Sequence, residues 1–155
     1  MKILLVCLGN ICRSPLAEGI LRKRALEAGL PWEIDSAGTA SYHAGEPPHL
    51  QSQQIAQENS IDISTQQCRQ FVPEDMLHFN RIYVMDGDNY REVKRISGAL
   101  WDESKVRWML DDLYPGQHKP VPDPYFGSYR DFEKVFTLLN NACLQIIDNY
   151  QQAGR

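Results

Sequence analysis

Apolar positions in this chain fall into short unbroken runs, separated by stretches in which they recur every three to four residues. Ile3, Leu4, Leu5 and Val6 make the first run, which has no polar alternation and predicts a strand buried on both faces. From Pro15 to Ala28, Leu16, Ala17, Ile20, Leu21, Ala25 and Ala28 recur at helical spacing until Gly29 and Pro31 end the pattern, with Ser14 as N-cap and Pro15 as first helical residue. This helix is expected to cover the first strand. Trp32 to Ser36 has strand character, and Gly38 to Pro48, rich in Gly, Pro and small residues, reads as a loop. Leu50 to Asn59, with Leu50, Ile55 and Ala56 on one side, predicts a solvent-facing helix begun near Pro47 or Pro48.

Ile61, Ile63 and Phe71 return to the core, and Pro73 to Phe79 reads as a short helical turn. Arg81 to Met85 is a second strongly apolar strand, with Asp86 and Asn89 at its end; Tyr90 to Ile96 is expected to be helical. Lys105 to Leu110 predicts a further strand after a break from Gly98 to Ser104. Prolines on both sides of Asp123 keep Val121 to Phe126 out of any helix interior. Tyr129 to Tyr150 then carries Phe132, Val135, Phe136, Leu139, Ala142, Cys143, Ile146 and Ile147, the stripe of a long amphipathic helix. Strands alternating with helices imply a parallel, doubly wound α/β sheet, whose ligands bind beyond the C-terminal ends of its strands. With 155 residues, a single domain over 1–155 is expected.

Composition removes several classes of function. The net charge is -4 and the basic residues are scattered, which leaves no electrostatic footprint for nucleic acid. The first apolar run is too short for a secretory signal, and no segment approaches the ~20 apolar residues of a membrane helix, so a cytoplasmic protein with no membrane partner is expected. The four cysteines, Cys7, Cys12, Cys68 and Cys143, lack zinc-ligand pairing and read as reduced thiols. His43, His49, His78 and His118 form no metal motif and read as surface or capping residues. The first turn has no G-x-G-x-x-G, which rules against a nicotinamide-binding reading, and no Walker A sequence occurs, so no cofactor is expected and, with no metal-ligand motif, no metal.

The candidate chemistry lies where the first strand meets the first helix. Leu8, Gly9, Asn10, Ile11, Cys12, Arg13 and Ser14 close a loop onto a helix N-terminus, where unpaired amides and the helix dipole converge on an oxyanion such as phosphate or sulfate. Cys7 at the start supplies a nucleophile in a field that favours its anion, and Arg13 supplies a planar partner for phosphate oxygens. Gly9 and Asn10 tolerate the backbone angles of a tight ring. The spacing describes attack on a phosphoryl group, without naming the substrate.

The run CLGNICRSP, Cys7 to Pro15, resembles the signature of the low-molecular-weight protein tyrosine phosphatases. The likeness continues through Asp35 to Gly38, Gly45 to Pro48, Arg69 with Gln70, Met85 with Asp86, and Asp123 to Phe126, all in family order. It implies a three-layer fold with a four-stranded parallel sheet flanked by helices, in the flavodoxin-like strand order 2-1-3-4. It further implies that Cys7 is the nucleophile, Arg13 the phosphate clamp and Asp123 the general acid in metal-independent hydrolysis of phosphotyrosyl proteins and small aryl phosphates through a phosphocysteine. Asn10, Ser14 and Ser36 resemble the family's supporting network. Gln66 stands where many relatives have a histidine, so altered support for Asn10 is expected. Tyr42, Tyr125 and Phe126 resemble the aromatic walls of the substrate ring, with Tyr42 replacing a tryptophan of some relatives. Cys12 lies in the same loop as Cys7 and is the candidate redox partner.

Other readings are an arsenate reductase, a protein-arginine phosphatase and a noncatalytic phosphate-binding module. The first needs a relay of thiols that Cys68 and Cys143, outside the loop, do not supply. The last is disfavoured by Cys7, Arg13 and Asp123 occurring together. Relatives specific for phosphoarginine carry threonine at the position of Ile11, which points here to phosphotyrosine.

Overall fold

A computed structural model describes residues 1–154. Strands β1 (Lys2–Cys7), β2 (Glu33–Gly38), β3 (Arg81–Val84) and β4 (Val106–Trp108) form one parallel sheet in the order β2-β1-β3-β4, as the resemblance implies. Helices α1 (Arg13–Glu27), α2 (Leu50–Glu58), α3 (Asp75–His78), α4 (Gly87–Ser97) and α5 (Tyr129–Ala153) flank it. β1 is central, and alternate side chains go to opposite faces. Ile3 and Leu5 join Leu16, Ile20, Leu139 and Ile146 beneath α1 and α5. Leu4 and Val6 join Phe71, Met76, Phe79 and Val93 on the other face. Both faces of β1 are therefore dry, which is why its sequence shows an apolar run without alternation. Each such side chain contributes about 1.5–3 kcal/mol of burial.

Several element boundaries differ from the sequence expectations, for local reasons. Ser14 is not an N-cap: α1 begins at Arg13, Cys12 precedes it without a side-chain cap, and the Ser14 hydroxyl is engaged with Cys7 and Asn10 instead. β2 runs on through Ala37 and Gly38, because Gly38 still pairs with Cys7 of β1 and bridges Gln70. Leu50 points to solvent, while Ser52, Ile55 and Ala56 face inward and His49 caps α2 by accepting from the Gln51 amide. α4 starts at Gly87 rather than Tyr90, because the Asp86 side chain accepts from the Asn89 amide and caps a polar first turn with no apolar periodicity. β4 is short; after Met109 donates to the Val84 carbonyl the chain turns away.

β1, β2 and β3 thus end side by side, bringing Cys7, Gly38 and Asp86 to one edge of the sheet. Among the described residues no helix is long and apolar enough to cross a membrane.

Candidate active site

The loop from Cys7 to Ser14 is held from outside by its carbonyls. Thr39 and Ala40 amides donate to the carbonyls of Cys7 and Leu8 at 2.9 Å, the His49 amide to that of Ile11 at 2.8 Å, and the Cys68 thiol to that of Asn10 at 2.7 Å. The Ser52 hydroxyl adds a longer bond of 3.4 Å to the Cys12 carbonyl. A trans peptide sets each carbonyl opposite the next residue's N–H. The amides of Leu8, Gly9, Ile11, Cys12 and Arg13 are consequently turned to the inside of the ring, where α1 also begins. Asn10 takes the left-handed conformation, φ 57°, that closes the turn. Gly38 is required by close approach: a Cβ there would lie 2.7 Å from the Leu8 carbonyl oxygen and 3.0 Å from the Asn10 nitrogen.

Behind the ring runs a buried hydrogen-bond chain whose direction is fixed. Asn10 Oδ1 accepts from the Arg69 amide at 3.0 Å, which sets the side-chain amide so that Nδ2 donates to Ser14 Oγ at 2.8 Å and Ser36 Oγ at 2.9 Å. The Ser36 hydroxyl donates to Glu18 Oε1 at 2.7 Å. Ser14, having accepted from Asn10, has its own proton free for Cys7 Sγ, 3.0 Å away. Hydrogen bonds join Asn10, Ser14 and Ser36 into one buried network, and the chain ends at Glu18. Burial pushes the Glu18 carboxyl up, against the lowering effect of Ser36 and Arg22. Gln66 does not support Asn10; its Nε2 donates to the Pro15 carbonyl at 3.2 Å.

Arg13 is 3% exposed, and its Nη1 donates to Asp86 Oδ2 at 2.8 Å and to the Val121 carbonyl at 3.0 Å. Burial opposes the guanidinium charge, but Cys7, Asp86 and Asp123 more than offset it, so the pKa is raised. Asp123 Oδ2 lies 3.7 Å from Arg13 Nη2, and Asp123 Oδ1 accepts from the Tyr125 amide at 3.1 Å. The Val121 amide donates to the Met85 carbonyl at 2.7 Å, tying this segment to the end of β3.

The loop, Arg13 and the Asp123 segment border a cavity of about 330 Å³. Cys7, Cys12 and Arg13 lie with Leu8, Gly9 and Ile11 along it, and Asp123, Tyr42, Tyr125 and Phe126 reach it from two other segments. Ordinary core packing does not describe the walls: Tyr42 is 76% and Phe126 96% exposed, and Tyr125 meets Phe126 edge to face at 4.7 Å. The side chains of Asn10, Ser14 and Ser36 bond to one another away from the cavity lining. Cys12 is a buried thiol pushed up to about 12 by desolvation, with Cys7 and Asp123 adding to it. The arrangement places a thiol, a ring of backbone amides, a guanidinium and a carboxyl around one space.

Sequence reasoning missed the parts played by Asp86, Glu18 and His43. Asp86 carried a signal in its position directly after an apolar strand. Glu18 carried one in the stripe Ser14, Glu18, Arg22, spaced i, i+4, i+8 on the most buried helix. His43 carried none; it reaches the cavity only because its loop folds over Gly9.

A family model described as low molecular weight phosphotyrosine protein phosphatase matches residues 2–154. A putative low molecular weight protein-tyrosine-phosphatase of Synechocystis is 43% identical over 145 residues, 92% of each chain. The crystal structure of YfkJ from Bacillus subtilis is 34% identical with a TM-score of 0.91, over 100% of this chain and 97% of that one. Wzb of Vibrio vulnificus in complex with benzylphosphonate is 28% identical with a TM-score of 0.81, over 92% and 93% of the two chains. Sequence, fold and the order of the loops agree along nearly the whole length, and the chain belongs to the low molecular weight phosphotyrosine protein phosphatase family.

Proposed function

We propose that residues 1–155 form one phosphatase domain that hydrolyses phosphotyrosine in proteins, and small aryl phosphates, through a phosphocysteine intermediate. The observation that carries this reading is the Cys7 sulfur at the inner end of an aromatic-walled cavity, encircled by inward amides and faced by Asp123. The phosphate enters the ring with its equatorial oxygens on the amides and Arg13. Cys7 attacks phosphorus in line, the P–O bond breaks, and Asp123 gives its proton to the departing phenolic oxygen, whose free pKa is about 10. Asp123 then takes a proton from the water that attacks the phosphocysteine, releasing phosphate and the thiolate. The amides and Arg13 neutralise the developing charge without a metal ion. Ser14 steadies the leaving sulfur by the bond that Asn10 and Ser36 direct.

The aryl group lies between Tyr42 and Tyr125, and Ile11 borders the space beside the scissile bond. Ile11 offers no hydroxyl to orient water on a guanidinium phosphate, which supports phosphotyrosine over phosphoarginine. The four free cysteines support a reducing, cytoplasmic setting. The test is hydrolysis of p-nitrophenyl phosphate and of matched phosphotyrosyl and phosphoarginyl peptides by wild type and Cys7→Ser. Wild type should favour phosphotyrosine, and the folded Cys7→Ser variant should bind vanadate or phosphate without turnover. Substantial hydrolysis by that variant removes Cys7 as nucleophile.

A further inference from the structure

The catalytic scheme above uses every charged group that borders the cavity except one. His43 lies on the loop between β2 and α2, and its Nδ1 is 2.8 Å from Glu46 Oε2. The opposite edge of the ring lies against the phosphate loop: a Cβ on Gly9 would be 3.1 Å from Cδ2 and 3.9 Å from Nε2. Tyr125 stands 6.2 Å from the ring centre, on the far wall of the same cavity. The carboxylate of Glu46 thus pins one nitrogen, while the other edge of the ring lies toward Gly9 and the residue lines the cavity. The side chain is 26% exposed, so it is fixed by its neighbours yet open on one side.

Arg13 and His43 are the basic side chains bordering this cavity. Arg13 is buried and committed to Asp86, the Val121 carbonyl and the phosphate. Within the cavity, His43 is the basic side chain left for a second acidic group on a substrate. We propose that His43 is a specificity-determining residue that selects phosphotyrosyl peptides carrying an Asp or Glu beside the phosphotyrosine; this rests on the phosphatase reading above.

The selection depends on the protonation of the ring. With both nitrogens protonated, Nδ1–H is held by Glu46 and Nε2–H is a directed donor for the substrate carboxylate. With the ring neutral and Nδ1–H still held by Glu46, Nε2 carries a lone pair and turns the same carboxylate away. The groups facing the ring are Glu46 from its own loop, the Gly9 backbone, Tyr125 from the segment after Asp123, and His49 ahead of α2, whose charge interacts with that of His43.

The experiment compares kcat/KM for phosphotyrosyl peptides with Asp or Asn at each position flanking the phosphotyrosine, at pH 5.5 and pH 8. The phosphate, Cys7 and Asp123 titrate alike with both members of a pair, so their effects cancel in the ratio. Wild type should prefer Asp by about two- to fivefold at pH 5.5, at one or two flanking positions, and lose the preference at pH 8. His43→Gln should abolish it at both pH values. An enzyme that hydrolyses p-nitrophenyl phosphate and both peptides but shows no Asp preference at pH 5.5 overturns the role of His43 and leaves the phosphatase reading intact. So does a preference that survives His43→Gln. Failure to turn over any of these substrates overturns both.

Discussion

Replacing Asp86 separates two jobs held by one carboxylate. Oδ2 receives Arg13 Nη1 at 2.8 Å, while Oδ1 receives the Asn89 amide at 2.8 Å and caps α4. Exposed ion pairs are worth about 0.2–1 kcal/mol, whereas stranding one charge of a buried pair costs about 3–5 kcal/mol. Arg13 is 3% exposed and Asp86 24%, so the pair sits between these limits, and Arg13 keeps the Val121 carbonyl in either case. Asp86→Asn, which retains a capping oxygen, should destabilise by about 2 kcal/mol. Asp86→Ala removes the cap as well and should cost about 1 kcal/mol more. In urea unfolding at an m-value near 2 kcal/mol/M, these losses lower the midpoint by about 1 and 1.5 M. With Arg13 no longer held, kcat on aryl phosphates should fall by roughly 10- to 100-fold, the scale of a misplaced catalytic group. If Asp86→Asn matches wild type and only Asp86→Ala loses about 1 kcal/mol, Asp86 is a helix cap and nothing more. If both lose stability as expected but kcat is unchanged, Arg13 is positioned without it.

Asp123→Ala should lose roughly 10²- to 10⁴-fold on phenyl phosphate but much less on activated leaving groups; equal losses on both make Asp123 positional rather than acidic. Ile11→Thr should shift the ratio of phosphotyrosyl to phosphoarginyl turnover toward phosphoarginine by about 10- to 200-fold, and an unchanged ratio removes Ile11 as the selector. Peroxide should oxidise the Cys7 thiol to a sulfenic acid; the Cys12 sulfur then attacks that sulfur and the hydroxyl leaves as water, giving a Cys7–Cys12 disulfide visible by mass spectrometry and reversed by thiols. Loss of the Cys7 charge on oxidation removes one of the causes holding the Cys12 thiol near 12, and full recovery of Cys12→Ala by reductant counts against a protective role. Glu18 has its carboxyl raised by burial above the ordinary 4.5, so its native form binds the proton more readily than the unfolded chain. Its contribution to stability is complete below that ordinary value and is lost as pH rises through the native one. The stability of wild type relative to Glu18→Gln should decline across that window in urea melts, and a constant difference refutes this account.

Much of the fold was written in local pattern. The run Ile3 to Val6 is short, apolar throughout and branched, which suits a buried strand, and the stripe from Phe132 to Ile147 repeats at helical spacing, so local pattern pointed to both types. Cys7, Arg13 and the Gly9–Asn10 turn between them stood out for a similar reason: a ring of consecutive amides is contiguous in sequence. Tertiary structure decided whatever depends on partners distant in the chain. Ser14 looks like an N-cap by composition, yet its hydroxyl serves Cys7 because Asn10 reaches it first, and Asn10 is oriented by the amide of Arg69. Gly38 looks like a loop residue, but it ends β2 because only a residue without Cβ fits against the Leu8 carbonyl. Asp86, Glu18 and His43 acquire their places through Arg13, Ser36 and Gly9 respectively. No local propensity encodes such a pairing, because a side-chain hydrogen bond or contact between distant residues leaves no periodic trace in either one's neighbourhood.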